Sequence, residues 1–241
     1  MLNKLKKIKP KHILEMLVIL ISFIPGMILR LIKRDIWIVA ENGDDAKDNG
    51  YAFFKYAMEN KSKKDIYYVI TKKSIYYDKL KKYNKNLLYK NSLKHNIYTI
   101  ASTKYISSQI GSGLPFPELV FNFQGTFIYR FKSIFLQHGI TQNKVQCLLK
   151  NESKVDLFCC AGNKEYDFVI NELGYNEENA KKTGFCRYDL LKDESKNSNK
   201  ILMMFTWRKQ FENDEKAFLD SKYYSTIQDF PICFSSIFVV P

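Results

Sequence analysis

The feature that most constrains this chain is an alternation that begins at Ile36, in which short apolar runs are each followed by a helix-like or loop-like stretch. "IWIVA" (36–40) ends at the Gly- and Asp-rich loop "ENGDDAKDNG", and "YAFFKYAMEN" comes next. "DIYYVI" (65–70) precedes a basic helical stretch, and "NLLY" (86–89) precedes "SLKHNIYTIA". "KYISS" (104–108) leads into the Gly- and Pro-rich "GSGLPFPE". After it "SIFLQ" precedes "NKVQCLLK", "DLFCC" precedes "NKEYDFVINEL", and "AKKTG" reads as a short strand. Strands alternating with helices predict βαβ units and a parallel sheet, so the expected fold over residues 35–190 is α/β and Rossmann-like. The polar stretch "LKDESKNSNK" (191–200) reads as a linker, and "ILMMF" (201–205) as the first strand of a second domain. No internal repeat is visible.

In open parallel sheets, ligands bind beyond the carboxyl ends of the strands. That rule places Asn42 and Gly43 of the "ENG" loop, Ser107 with Ser108, and His138 with Gly139 on one edge. His138, in "SIFLQHGITQNK", would project into the crevice, where imidazole suits proton transfer at neutral pH. Gly139 would let a substrate approach closely. Lys144, one turn into the helix expected after Gly139, could bring charge to a phosphate near that helix start. A histidine at a strand end is also a common hydrogen-bonded structural residue, and spacing does not choose between the two roles. His95, in mid-helix, reads as structural. Asp48 or Asn49 reads first as a helix N-cap.

The net charge of +13 invites a nucleic-acid reading, but its distribution opposes it. Residues 1–34 carry eight Lys and Arg against Glu15 alone, leaving only +6 for the remainder. The lysines flank an apolar stretch from Ile13 to Leu29, interrupted by Glu15, Ser22, Pro25 and Gly26. Its 17 residues fall short of the roughly 20 that a bilayer span takes. On a helix Glu15, Ser22 and Gly26 share one narrow face, which fits a helix lying in the cytoplasmic leaflet, or re-entering it, against an anionic surface. A true span and a signal peptide are the competing readings. The Tyr/Lys-rich "YYDKLKKYNKNLLYK" reads as a solvated face with apolar anchors, and no nucleic-acid partner is expected. With 46% hydrophobic and 15% aromatic residues the chain can build a sizeable core. The five cysteines form no CxxC pair and show no metal-ligand spacing, so reduced thiols are expected, with neither metal nor cofactor.

The ordered set "ENGDDAKDNGYAFFKY", "IYYVI", "FLQHGIT", "TGFCRYD" and "TWR" resembles the CDP-glycerol glycerophosphotransferase family, from about Trp37 to Arg208. The resemblance implies a two-domain GT-B architecture in bacterial teichoic-acid or capsular polymer synthesis. The N-terminal domain would handle a membrane-linked acceptor and dock on the membrane, while the C-terminal domain would bind a CDP-linked donor. An acceptor hydroxyl would attack the phosphorus bearing glycerol, or a related polyol, and CMP would leave. His138 is then the candidate general base, with Asn49 and Gly50 as motif members. Arg187 and Arg208 are candidate phosphate contacts, since guanidinium binds phosphate oxygens bidentately; for Arg187, a brace to Asp189 is the structural alternative. The implied setting is the cytoplasmic face of the plasma membrane.

The chain departs from that pattern in three places. Cys186 stands where the family usually has proline, and so does Phe205, before "TWR". Only residues 201–241 follow the linker, fewer than the roughly 100 or more of a Rossmann-like domain, and no histidine follows His138. The apolar ending "FPICFSSIFVVP" reads as unrelated to a donor domain. A truncated or frameshifted member with impaired activity is therefore expected, its tail lacking a docking surface; the alternative is a genuine short variant completed by a separate partner chain. The rival readings are a non-catalytic, membrane-docked acceptor-domain remnant and another GT-B transferase or epimerase-like enzyme.

Overall fold

The computed structural model describes residues 10–193, 201–204, 216, 219–222, 225 and 237–240. Among them, helix α1 (Pro10–Ile32) precedes seven strands: β1 (Ile36–Ala40), β2 (Asp65–Ile70), β3 (Leu87–Tyr89), β4 (Lys104–Ser107), β5 (Lys132–Phe135), β6 (Leu157–Cys160) and β7 (Ala180–Lys182). They form one sheet in the order β3-β2-β1-β4-β5-β6-β7, every neighbouring pair parallel. The expected α/β class and parallel sheet are found. The chain winds outward from β1 to β3, then returns past β1 to β4, so the topological switch point lies between β1 and β4.

Helices cover both faces, which is why the strands read as apolar runs rather than alternating ones. Ile36, Ile38 and Ala40 of β1 face one core with Val69, Leu88 and Tyr105. There they meet Ile100 and Ala101 of α4 (Leu93–Ala101) and Val120 of α5 (Pro117–Phe123). Val39 faces the other core with Tyr68, Ile70 and Ile106, against Phe54 and Ala57 of α2 (Asn49–Glu59) and Leu80 of α3 (Tyr77–Leu80). Phe54 is fully buried, its ring 5.2 Å from Tyr68 and 5.3 Å from Tyr83; a side chain so buried contributes roughly 1.5–3 kcal/mol. Beyond β5, Phe135 and Phe158 pack with Val169 and Leu173 of α7 (Asn163–Leu173).

Three local expectations are corrected. The basic stretch after β2 is only α3 followed by a 3-10 segment, Lys81–Asn86. Helix α5 was not anticipated in the segment after the Pro-rich interruption. No helix starts after Gly139: the chain runs irregularly to a 3-10 turn at Gln146–Leu148 and the short α6 (Lys150–Ser153). The reason is local competition for the backbone. Gln137 takes a left-handed φ of 63°, and its buried side chain donates to Cys159 O at 2.6 Å. Thr141 Oγ1 donates back to Gln137 Oε1 at 2.8 Å, while the Thr141 N–H goes to the Glu165 carboxylate at 2.5 Å.

Helix α1 lies along the α4 side of the sheet rather than standing apart as a separate segment. Ile19, Ser22 and Gly26 form its buried face. The fit is closest at Gly26, where an added Cβ would lie 2.6 Å from Ile100 Cγ2 and 3.2 Å from Ile97 O. Arg30 donates to Ile100 O and Ile128 O, His12 meets Glu118 at 3.1 Å, and Lys33 pairs with Asp65 at 2.7 Å. The opposite face is apolar and bare: Leu20, Ile24 and Leu31 are 69%, 67% and 77% exposed. The helix is long and apolar enough to cross a membrane by length and composition. Gly26→Leu is expected to lever α1 off α4, lowering stability by about 1–3 kcal/mol. Urea denaturation and earlier proteolysis within residues 10–32 are the readouts, and an unchanged profile would refute this close packing.

The compact unit containing the sheet ends at Leu191, and a second begins at Lys192. In the second, β8 (Ile201–Met204) pairs in parallel with β9 (Ile237–Val240), Ile201 opposite Ile237. Strand β9 lies within the apolar ending.

Candidate functional site at the strand ends

The C-terminal edge around the switch point is organised by two buried carboxylates. Glu41, directly after β1, accepts backbone N–H groups of Asp48 (2.8 Å), Tyr51 (2.9 Å) and Lys47 (3.0 Å). Burial raises its pKa and these N–H groups oppose the rise. The start of α2 is thus filled by an internal anion, and the adjoining Gly50 N–H goes to Ser108 Oγ at 2.8 Å. A Cβ on Gly50 would sit 2.9 Å from Ala40 O, so only glycine lets α2 approach β1 this closely. Glu165 does the same across β5 and β6, accepting from Thr141 N and from Ala161 N at 2.6 Å.

Asn49 fastens three segments together. Its Nδ2 donates to Gln137 O (2.8 Å) and Leu136 O (3.3 Å), and its Oδ1 accepts from Arg187 N (3.0 Å). Asp48 is the N-cap of α2, accepting from Asn49 N. Asp48 also holds the Arg187 guanidinium, which in addition donates to His138 O at 2.8 Å and lies over the Phe185 ring at 4.8 Å. The expected structural alternative, a brace to Asp189, is replaced by this pair with Asp48.

His138 is exposed at the end of this framework. Its Nδ1 lies 3.1 Å from Ser108 O. A carbonyl oxygen only accepts, so the proton of the neutral ring sits on Nδ1 and the lone pair on Nε2. Among the described residues no hydrogen bond engages Nε2. Around the adjoining Gly139 a Cβ would meet nothing, so that position is open. The arrangement can accept a proton at Nε2 and present a guanidinium to an anion a few ångströms away.

Of the residues singled out in the sequence, Asn49, Gly50, Ser108, His138, Gly139 and Arg187 come together. Asn42, Gly43, Ser107 and Lys144 do not. Asn42 closes its own turn with Asp44 and Asp45, and Gly43 packs against Lys90. Ser107 is buried with its hydroxyl in a turn to Gln109. Lys144 reaches Glu172 at 3.9 Å, with no helix start beside it. Arg208 lies outside the described residues. Glu41, Gln137 and Glu165 were missed. A carboxylate directly behind a strand and ahead of a turn was the only signal for Glu41, and left-handed Gln137 offered none. Burial pushes Cys159 up to about 11 and Cys160 to about 12, so neither thiol is a nucleophile at neutral pH. Among the described residues no group of three His, Cys, Asp or Glu side chains is placed to hold a metal.

The fold defines a doubly wound parallel α/β unit that carries the Asn49, His138 and Arg187 framework beyond its strand ends near the switch point. The chain belongs to the CDP-Glycerol:Poly(glycerophosphate) glycerophosphotransferase family, whose model matches residues 24–224. It is 33% identical over 207 residues to the minor teichoic acid biosynthesis protein GgaB of Bacillus subtilis (strain 168). That match covers 80% of this chain but 23% of GgaB, so the chain spans about a quarter of that relative's length. Among solved structures it is similar to the wall teichoic acid polymerase TagF, at 11% identity and a TM-score of 0.49, covering 84% of this chain and 58% of that one. A TagF variant soaked with CDPG matches at 12% identity and a TM-score of 0.46, covering 73% and 48%.

Proposed function

We propose that this chain forms the acceptor side of a transferase that moves glycerol phosphate, or a related polyol phosphate, from a CDP-linked donor to a hydroxyl of a membrane-linked teichoic-acid or capsular polymer. The observation that carries the reading is the exposed His138, its ring pinned through Nδ1 to Ser108 O so that Nε2 holds the lone pair, with the Arg187 guanidinium on the same residue's carbonyl. In the proposed step Nε2 takes the proton of the acceptor hydroxyl as its oxygen attacks the phosphorus bearing glycerol. The bond from that phosphorus to the bridging oxygen breaks, and CMP leaves with the electron pair. Arg187 neutralises phosphate oxygens as charge shifts, the main lever a protein has in phosphoryl transfer. A GT-B partner domain would bring the donor to this edge.

The bare face of α1 supports a second part of the proposal. The helix would lie in the cytoplasmic leaflet, docked on its domain by the Ser22–Gly26 face and contacting lipid by the other. The test pairs this chain with a chimera in which GgaB supplies everything outside the matched region. Either is offered CDP-glycerol or UDP-sugars together with a lipid-linked primer. Release of CMP with incorporation of glycerol phosphate is expected from the chimera. Turnover of UDP-sugars alone would replace the reading with that of a different GT-B enzyme.

A further inference from the structure

A second basic site lies at the opposite, N-terminal edge of the sheet. A cavity of about 580 Å³ opens between the loop that precedes β5 and the start of β6. Arg130, Lys132, Lys150 and Lys154 line it, against one carboxylate, Asp156. That carboxylate is already engaged, by Lys132 at 3.1 Å and by the Ser133 N–H at 2.8 Å. Lys150 and Lys154 turn to backbone carbonyls, Val155 O at 2.5 Å and Phe121 O at 2.6 Å. The Arg130 guanidinium is exposed and has neither a hydrogen bond nor an ion pair among the described residues. Arg30 stands near enough to feel its charge, and Arg30 itself bonds carbonyls, Ile100 O, Phe127 O and Ile128 O, and the Met27 sulfur, with no carboxylate among its partners. Positive charge gathered in a concave site with so little internal compensation matches an anion from outside.

What adjoins the cavity selects the kind of anion. Phe127, 60% exposed, lines it and also meets Phe23 of α1 edge-on at 5.8 Å. The cavity is thereby joined to the helix whose outward face is bare of polar groups. An occupant with an anionic head and apolar tails satisfies both surfaces, whereas a soluble phosphate satisfies one. We propose that this cavity binds the phosphate of an anionic membrane lipid, with Arg130 as the selective ligand and the acyl chains running toward α1. The proposal rests on the in-plane reading of α1. It is independent of the chemistry at His138, which lies at the other end of the strands.

The test is flotation of the full chain on phosphatidylcholine vesicles with and without phosphatidylglycerol. Arg130→Lys keeps the charge and loses the bidentate fork; Arg130→Gln loses both; Lys73→Gln removes an exposed charge at the other edge of the sheet. Both Arg130 variants should bind phosphatidylglycerol vesicles roughly fivefold or more weakly and phosphatidylcholine vesicles unchanged, with Lys73→Gln within about twofold of the parent. Normal binding by Arg130→Lys would reduce the effect to diffuse charge and overturn the site while leaving the α1 reading intact. Displacement by millimolar inorganic phosphate as effective as that by lipid would overturn the lipid assignment. A parent chain that floats with neither vesicle would remove the in-plane reading of α1 and this proposal with it.

Discussion

His138→Ala is expected to lower turnover in the GgaB chimera by roughly two to four orders of magnitude, the range a positioned base contributes. An acceptor hydroxyl is a weak nucleophile at neutral pH, and in the proposed step the Nε2 lone pair removes its proton. Ser108 O fixes the tautomer, Asn49 fixes the 136–137 backbone from below, and Arg187 holds His138 O from the side. Donor affinity should scarcely change, because the residues around His138 are proposed to serve the acceptor. Imidazole added to the buffer should restore part of the alanine variant's rate, which a purely structural histidine would not allow. Near-normal turnover without His138, or a loss confined to donor binding, would end the catalytic assignment.

Most of the fold was legible because it depends on patterns of residue type. Strands buried on both faces appear as apolar runs, and "DIYYVI" and "NKEYDFVINEL" coincide with β2 and α7. The segment after β5 was misread because its outcome depends on contacts distant in sequence. "NKVQCLLK" has helical composition, yet Glu165 and Cys159 claim the backbone and side chains that precede it. The same holds for the site. His138 could be found from its place behind an apolar run, and the shared motif pointed to Asn49 and Gly50. That Asn49 would tie β5 to Arg187, or that Glu41 would fill the start of α2, required the strand order. Sequence spacing also grouped Asn42, Gly43 and Ser107 with His138. All four lie at or just beyond strand ends, but a strand end does not set which way a side chain is directed, and local contacts engage the first three.

The second large effect concerns stability in acid and arises at His95. This ring is fully buried on α4. Its Nδ1 accepts the Asn91 N–H at 3.2 Å, which places the proton on Nε2, and Nε2 has no partner. Burial, aided by the nearby Lys90 charge, depresses its pKa to about 3 from an ordinary value of 6.5. Above pH 6.5 the ring is neutral in both folded and unfolded chains and contributes no pH dependence. Below it the unfolded chain takes up a proton that the folded one refuses, so stability falls with falling pH until about pH 3. The slope is about 1.4 kcal/mol per pH unit, or about 2 kcal/mol between pH 6.5 and 5, before most carboxylates titrate. Urea denaturation across that window should show the loss in the parent chain, and His95→Gln should flatten the slope by about one proton even if its stability at pH 7.5 is lower. An equal slope in the two proteins would mean that His95 gains a partner when protonated, by admitting water to Nε2 and to the neighbouring unpartnered Asn96 Nδ2.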